Sequence, residues 1–373
     1  MSHREVPRDE PKRRPGLAIL YGRPDRLSTS YQTSQLARAL EPWFALNHLR
    51  MRSQQTRGKG WQIERLWHNL LRPLAARPRS DYLLYTNDGI ADIQPWRARK
   101  ILYWYDAPWD YALDRPGPNR PVDWLRCRNV INADWVFAVS AAQVDLARRL
   151  RPERESSVHY LPVGVDARAF DPDKADREKA IQAYSLPRGG TVVGYLGFIG
   201  AWQGRFAAEP LIEAARRLPG DCRAHFLVVG SGAAAPLLRQ AIAEAGLASR
   251  FTLTGYVEDA MLPHCLAAMD ICVDTLEPGF HSLARSETKL KQYMAMGRAC
   301  LATDIGENRV DLDQGECGLL VEPGSDALLA GILKLARNAA LRGELGAKAR
   351  TRAETVYDWQ LLARKLATTV LMC

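Results

Sequence analysis

Short apolar runs recur along the whole chain, separated by stretches whose apolar residues fall at helical spacing. In the first half LAILY, ALNHLR, DYLLYT, KILYWY, DWVFAVS and SVHYLPV read as β-strands, and helical patterns near 29–41, 61–75, 121–132 and 141–150 separate most of them. In the second half TVVGYLG, RAHFLVVG, RFTLTG, DICVDT, ACLAT and GLLVE alternate with helical patterns near 208–218, 234–245, 259–268, 287–296 and 326–337. Regular strand–helix alternation predicts parallel, doubly wound sheets of the α/β class. The break falls after PVGVDARAFDPDKADREKA, a polar stretch rich in aspartate around residues 164–180. Two Rossmann-like units facing one another would set the carboxyl ends of both sheets, where ligands bind, across a shared central cleft.

The segment from Arg285 to Val310, RSETKLKQYMAMGRACLATDIGENRV, carries the most chemistry. Ser286 is placed to N-cap a helix over Glu287 to Met296, with Leu290, Tyr293 and Met294 turned inward and Gly297 supplying a left-handed cap. A loop that feeds a helix N-terminus beside a parallel sheet gathers free amides and the positive end of the helix dipole, which suits an anion. Arg285 and Lys289 stand in that first turn, placed to hold phosphate. The same pattern also fits an ordinary α/β unit with a solvated, charged turn.

Glycines mark the corresponding side of neighbouring strands. GYLGFIG, with Gly194, Gly197 and Gly200, and VVGSG, with Gly230 and Gly232, both follow apolar strands and precede helices, where backbone can approach a ligand closely. Tight strand-to-helix turns need glycine as well. Neither run is a GxGxxG dinucleotide fingerprint, and no Walker loop is present.

Composition narrows the setting. At 373 residues, 47% hydrophobic and 25% charged, the chain reads as a globular protein of two domains. No apolar run reaches the roughly 18 residues of a membrane span, and the N-terminus MSHREVPRDEPKRRPG has no apolar signal core. The seven cysteines are scattered and form no CxxC pair, so they read as reduced thiols in a cytosol. The net charge of +9 is concentrated between Arg50 and Arg79, where Glu64 is the single acid. There Ile63, Leu66, Trp67, Leu70, Leu71 and Leu74 keep helical spacing, so the stretch either lies at an anionic membrane surface or packs on its own sheet. It belongs to no recognisable nucleic-acid reading motif, and no nucleic-acid partner is expected.

Taken in order, HYLPVGVDARAF, VVGYLGFIGAWQG, LIEAARRLP, FLVVGSG, FTLTGYVED, AAMDICVDT, KLKQYMAMGRACLATDIG, CGLLVEPGS and YDWQLLARKL resemble the donor domain of family-4 glycosyltransferases over roughly residues 155–370. ADWVFAVSAAQVDLARR and YWYDAP look like the corresponding acceptor-domain segments. The resemblance implies a GT-B architecture, transfer of a sugar from a nucleotide diphosphate sugar with retained anomeric configuration, and no metal or other cofactor. It assigns basic residues and helix amides to the diphosphate, in agreement with Arg285, Lys289 and the helix that starts at Ser286 and Glu287, although the Glu287 charge is expected to repel a phosphate there. It also sets Tyr256 and Val257 against the base, with Gly230 and Gly232 near the nucleotide.

Departures from the family pattern fall on the same segment. The usual glutamate pair aligns with Ala284 and Gln292, so an uncharged amide stands where a carboxylate ordinarily holds the ribose. The basic pair of the first donor loop aligns with Phe198 and Gln203, leaving Arg205 as its replacement. On the acceptor side, YGRPDRLSTSYQTSQ offers Arg23, Ser28, Thr29 and Ser30, where a hydroxyl-rich helix start binds a sugar or phosphate besides capping the helix. YWYDAPWDY adds Tyr105, Asp106 and Trp109 at a strand end, with rings suited to stacking on a sugar. Asp106 and Lys289 are the residues assigned to catalysis, and no protein nucleophile is assigned.

The expected organisation is a basic, disordered tail at 1–15, an acceptor-binding unit at 16–166, a donor-binding unit at 167–355 and a closing helix within 356–373 that packs back on the first unit. The expected protein is a retaining glycosyltransferase acting on a glycan, lipid-linked or natural-product acceptor in the cytoplasm, peripheral to the inner face of the membrane through residues 50–79. Two alternatives share the architecture: a protein that binds a nucleotide sugar or glycan without transferring it, and a nucleotide-sugar epimerase.

Overall fold

The computed structural model describes residues 14–20, 28–49, 80–86, 97–105, 121–202, 205–206 and 208–372, with backbone alone at 28–30, 121–126, 201–202, 205–206 and 280–281. Residues 1–13 and the basic stretch 50–79, including the helical pattern near 61–75, lie outside the described residues.

The first sheet is built from β1 (Gly16–Leu20), β2 (Ala45–Leu49), β3 (Tyr82–Thr86), β4 (Arg99–Trp104), β5 (Trp135–Ala138) and β6 (Val158–Tyr160), all parallel, in the order β2-β1-β3-β4-β5-β6. A short antiparallel hairpin, β8 (Ala201–Trp202) with β9 (Arg205–Phe206), follows β7 (Thr191–Leu196). β7 opens the second sheet, joined by β10 (Ala224–Val229), β11 (Phe251–Gly255), β12 (Ile271–Asp274), β13 (Ala299–Thr303) and β14 (Leu319–Val321). This sheet is parallel throughout, in the order β11-β10-β7-β12-β13-β14. Counted from β7, that is the doubly wound order 3-2-1-4-5-6, whose direction reverses between β7 and β12.

Each apolar run named above as a strand is one, and central strands such as β5 and β13 are buried at every position because helices cover both faces. β2, at the sheet edge, is largely exposed. Helices Arg177–Tyr184 and Ala339–Arg352 carry weak apolar signals, and their segments had not been expected to be helical. The first buries only Ala180 and Ile181, and the second only Leu345, Gly346 and Ala349. The first also revises the reading of 164–180 as a polar break, since Asp176 caps a helix there by accepting from the Glu178 amide.

The two units are joined by two adjacent crossings of the chain. Val165 N donates to Tyr357 O at 2.9 Å and Trp359 N to Val165 O at 3.2 Å. Beyond that crossing the closing helix, Trp359–Leu371, contributes Trp359, Leu362, Leu366 and Val370 to the core of the first unit beside Leu17, Leu36, Phe44 and Leu84. Gly164 makes this seat feasible: a Cβ there would lie 2.6 Å from the Trp359 ring.

Beneath the crossing lies a buried ion pair. The Lys291 ammonium, without solvent exposure, bonds Asp311 and donates to Ser286 Oγ at 2.9 Å, with the Tyr357 ring 5.4 Å away. Burial pushes the Asp311 carboxyl up, and Lys291 and Arg352 draw it back. Removing one partner strands the other's charge. Asp311→Ala is therefore expected to destabilise the protein by about 3–5 kcal/mol, while Lys291→Met/Asp311→Leu should lose much less; the check is the midpoint of chemical denaturation for each variant.

Candidate functional site

The crevice between β7 and β12 is where a doubly wound sheet offers ligand space, and the Thr288–Ala295 helix stands at its mouth. Tyr293 of that helix braces the crevice. Its hydroxyl accepts from Leu196 N at 2.7 Å and reaches Val273 O at 3.4 Å, tying the ends of both strands. The helix stops as the sequence implies: Gly297 takes φ +60, with Gly297 N on Met294 O at 2.9 Å and Arg298 N on Tyr293 O at 3.0 Å, a Schellman closure.

The helix start differs from the expected one. Glu287, not Ser286, is the N-cap, and no side chain caps the first turn. Ser286 Oγ instead accepts from Val163 N at 3.2 Å and from Lys291, joining the second unit to the chain leaving the first. Thr288 Oγ1 accepts from Gln32 Nε2 at 2.8 Å and lies 3.4 Å from Tyr105 OH, both of the first unit. A second bridge lies further along: Glu307 accepts from Ala141 N at 2.8 Å, at the N-terminus of the Ala141–Leu150 helix, and from Tyr160 OH at 2.5 Å.

Lys289 is the cation at the mouth of the crevice. Its ammonium lies 2.8 Å from Asp274 Oδ1, 3.9 Å from Glu287 Oε2 and 4.6 Å from the centre of the Tyr195 ring. Burial alone would lower the pKa of this ammonium, but Asp274, followed by Tyr195 and Glu287, raises it above the ordinary lysine value. Burial pushes the fully buried Asp274 upward even so. The Lys289 ammonium, 2.8 Å away, draws it back and is the nearest charge that favours the carboxylate. Arg285, half exposed, pairs with Glu287 at 3.5 Å, so the carboxylate expected to repel a phosphate is held between two cations. Gln292 is buried one turn further along the same helix.

The glycine loops are laced to one another. A Cβ on Gly230 would lie 1.9 Å from Gly197 O, and one on Gly232 would lie 2.2 Å from Ile199 O. Ile199 N donates to Ser231 O and Gly230 N to Gly255 O, both at 3.0 Å. In this structure the close neighbour that demands glycine is another strand-end loop, and the three loops form one platform. Two rings stand out from it, Phe198 at 73% exposure and Tyr256 at 68%, while Val257 packs inward.

Arg23, Asp106 and Trp109 lie outside the described residues, and at Ser28, Thr29, Ser30 and Arg205 backbone alone is described. Tyr105 reaches the first turn of the 288–295 helix through Thr288. Tyr195, Asp274, Thr288 and Gln32 belong to the arrangement although sequence reasoning did not single them out. The one available signal was an aspartate closing the apolar run of DICVDT. Among the described residues no cluster of His, Cys, Asp and Glu could hold a metal ion.

Comparisons with known proteins point to one kind of protein. Residues 193–338 match the family model for glycosyl transferases group 1. The chain is 31% identical over 142 residues to a 2-deoxystreptamine N-acetyl-D-glucosaminyltransferase of Streptomyces fradiae, a match covering 37% of this chain and 32% of that protein. It is 30% identical over 229 residues to a phosphatidyl-myo-inositol mannosyltransferase of Mycobacterium leprae, covering 60% and 56%. The matches thus span only about a third to just over half of these relatives' length. Among solved structures, sucrose-phosphate synthase from Thermosynechococcus elongatus superposes with a TM-score of 0.77 at 18% identity, over 96% of this chain and 99% of that one. Anabaena HepE in complex with UDP and glucose does so with a TM-score of 0.75 at 16% identity, over 96% and 100%. At these identities the likeness is one of fold, the GT-B arrangement of two doubly wound sheets.

The contact between Gln32 and Thr288 is expected to couple the two units energetically. In a double-mutant cycle, Gln32→Ala and Thr288→Val should show an interaction of about 0.5–1.5 kcal/mol. Additive losses in urea unfolding would mean that the bond contributes nothing to holding the units together.

Proposed function

We propose that this chain, a GT-B protein matched over residues 193–338 by the glycosyl transferases group 1 model, is a glycosyltransferase that takes its sugar from a nucleotide diphosphate sugar. The observation that carries this reading is the position of Lys289. Its ammonium sits at the switch point of the second sheet, against Asp274 at the end of β12 and the Tyr195 ring of β7, in the first turn of the 288–295 helix, where the neighbouring Thr288 meets Gln32 and Tyr105 of the first unit. A diphosphate placed there meets Lys289 and Arg285 in the role that a divalent cation would otherwise fill.

In the reaction the bond from the anomeric carbon to the diphosphate breaks, and a bond forms to an acceptor oxygen on the same face. The acceptor's proton leaves with the diphosphate. Negative charge grows on the leaving oxygens, where a held ammonium and oriented amides stabilise it without reorganising. No protein nucleophile is required, and anomeric configuration is retained. The acceptor side belongs to the first unit. The rings in the two relatives' names, 2-deoxystreptamine and myo-inositol, are both cyclitols, so a polyhydroxylated ring is the first acceptor class to try. No described helix is long and apolar enough to cross a membrane, and peripheral action at an inner membrane face rests on the basic residues 50–79.

One observation favours the alternative of a binding protein without turnover. Arg285 and Lys289 are each paired with an acid, and Gln292 stands where the family carries a glutamate.

A thermal-shift panel of UDP, GDP, TDP, ADP and CMP without metal, run on wild type and Lys289→Gln, tests the donor site. A ligand at about a hundred times its dissociation constant adds roughly 2.7 kcal/mol. One nucleoside diphosphate should stabilise wild type, and the variant should lose about 1.5–3 kcal/mol of that binding. No stabilisation by any of them would remove the donor reading. Release of that diphosphate from its sugar conjugate on adding a cyclitol separates transferase from binder.

A further inference from the structure

Asp274 is the last residue of β12, and its carboxylate is fully buried. Neither oxygen accepts a hydrogen bond from a backbone amide, so the Lys289 ammonium at 2.8 Å is what compensates its burial. The fold does not need a carboxylate there. The residue paired with it on β13 is Ala302, equally buried and closely packed. The charge at position 274 is therefore explained by its neighbour.

We propose that Asp274 is a positioning residue of the donor site, fixing the Lys289 ammonium above the Tyr195 ring, where it meets the donor diphosphate. The proposal rests on Lys289 as the diphosphate anchor. A lysine carries its charge on a flexible four-carbon stem and loses its proton readily when buried without a counter-charge. Asp274 removes both freedoms.

Each element around the ammonium contributes a group. Asp274 comes from β12 and Tyr195 from β7, Glu287 and Arg285 come from the loop before the helix, and among the described residues the first unit brings the neutral Gln32 and Tyr105 to the adjacent Thr288. With an amide at 274 the burial of Lys289 stays, and the nearest remaining carboxylate is Glu287 at 3.9 Å. The lysine pKa then falls, because burial is the largest influence on it and acts downward. As pH rises through that lowered pKa, the ammonium becomes an amine and the diphosphate loses its cation. In wild type the pKa is raised, so the cation persists through the same range.

The test is calorimetric titration of the full chain with UDP and with GDP between about pH 7 and about pH 9.5, always as a ratio to wild type at the same pH, which cancels the ligand's own ionisation. Asp274→Asn should weaken binding progressively, by about tenfold more at the alkaline end than at the neutral end. Asp274→Asn/Lys289→Arg should lose that alkaline limb, because a guanidinium does not deprotonate. An Asp274→Asn variant that tracks wild type, a loss equal at every pH, or a limb that survives in the double variant would each overturn the proposal while leaving the diphosphate site standing. Unchanged binding in Lys289→Gln, or no binding of either nucleotide to wild type, would overturn the diphosphate anchor itself and the proposal with it.

Discussion

The segment from Ser286 to Lys291 is the constraint on which the arrangement of the protein depends. Within it Ser286 accepts from Val163, Thr288 accepts from Gln32, Lys289 pairs with Asp274, and Lys291 pairs with Asp311. One short stretch of chain thus holds the first unit, the end of β12 and the Glu307–Asp311 helix that follows β13 at once. A helix start normally leaves its amides for a side-chain cap. Here the two flanking hydroxyls bridge the units, so the first-turn amides remain without a side-chain cap at the point where the crevice opens.

That arrangement links fold to chemistry. In a doubly wound sheet the strands part where their order reverses, and in the second unit this happens between β7 and β12. Tyr293 ties the two strand ends together, and Asp274 and Tyr195 hold the Lys289 ammonium between them. The first unit brings Gln32 and Tyr105 to the same turn of helix, so anything bound there is in reach of both units. Among the described residues at the mouth, Arg285 is paired with Glu287 and Lys289 with Asp274.

Much of this was legible in the sequence. Parallel strands showed as apolar runs, the 288–295 helix as its periodic Leu290, Tyr293 and Met294, and its end as Gly297. What stayed hidden were partnerships between residues distant in the chain. Ser286 has the composition of an N-cap, and only the approach of Val163 and Lys291 gives its hydroxyl a different task. Gly230 and Gly232 advertise a close approach without saying to what, and the answer is the carbonyls of Gly197 and Ile199 in the neighbouring loop. Asp274 reads as a strand end until Lys289 is folded against it. The helices at 177–184 and 339–352 were missed because each buries too few residues to leave a periodic mark.

The central claim is that a nucleoside diphosphate binds at the crevice between β7 and β12 against Lys289. A crystal structure of the full chain grown with the nucleoside diphosphate that binds it tests this most directly. The account predicts a phosphate oxygen about 2.7–3.1 Å from Lys289 Nζ or from the amides at the start of the 288–295 helix, with the nucleoside running towards Tyr256. A nucleotide found elsewhere, with Lys289 still turned wholly to Asp274, would contradict it.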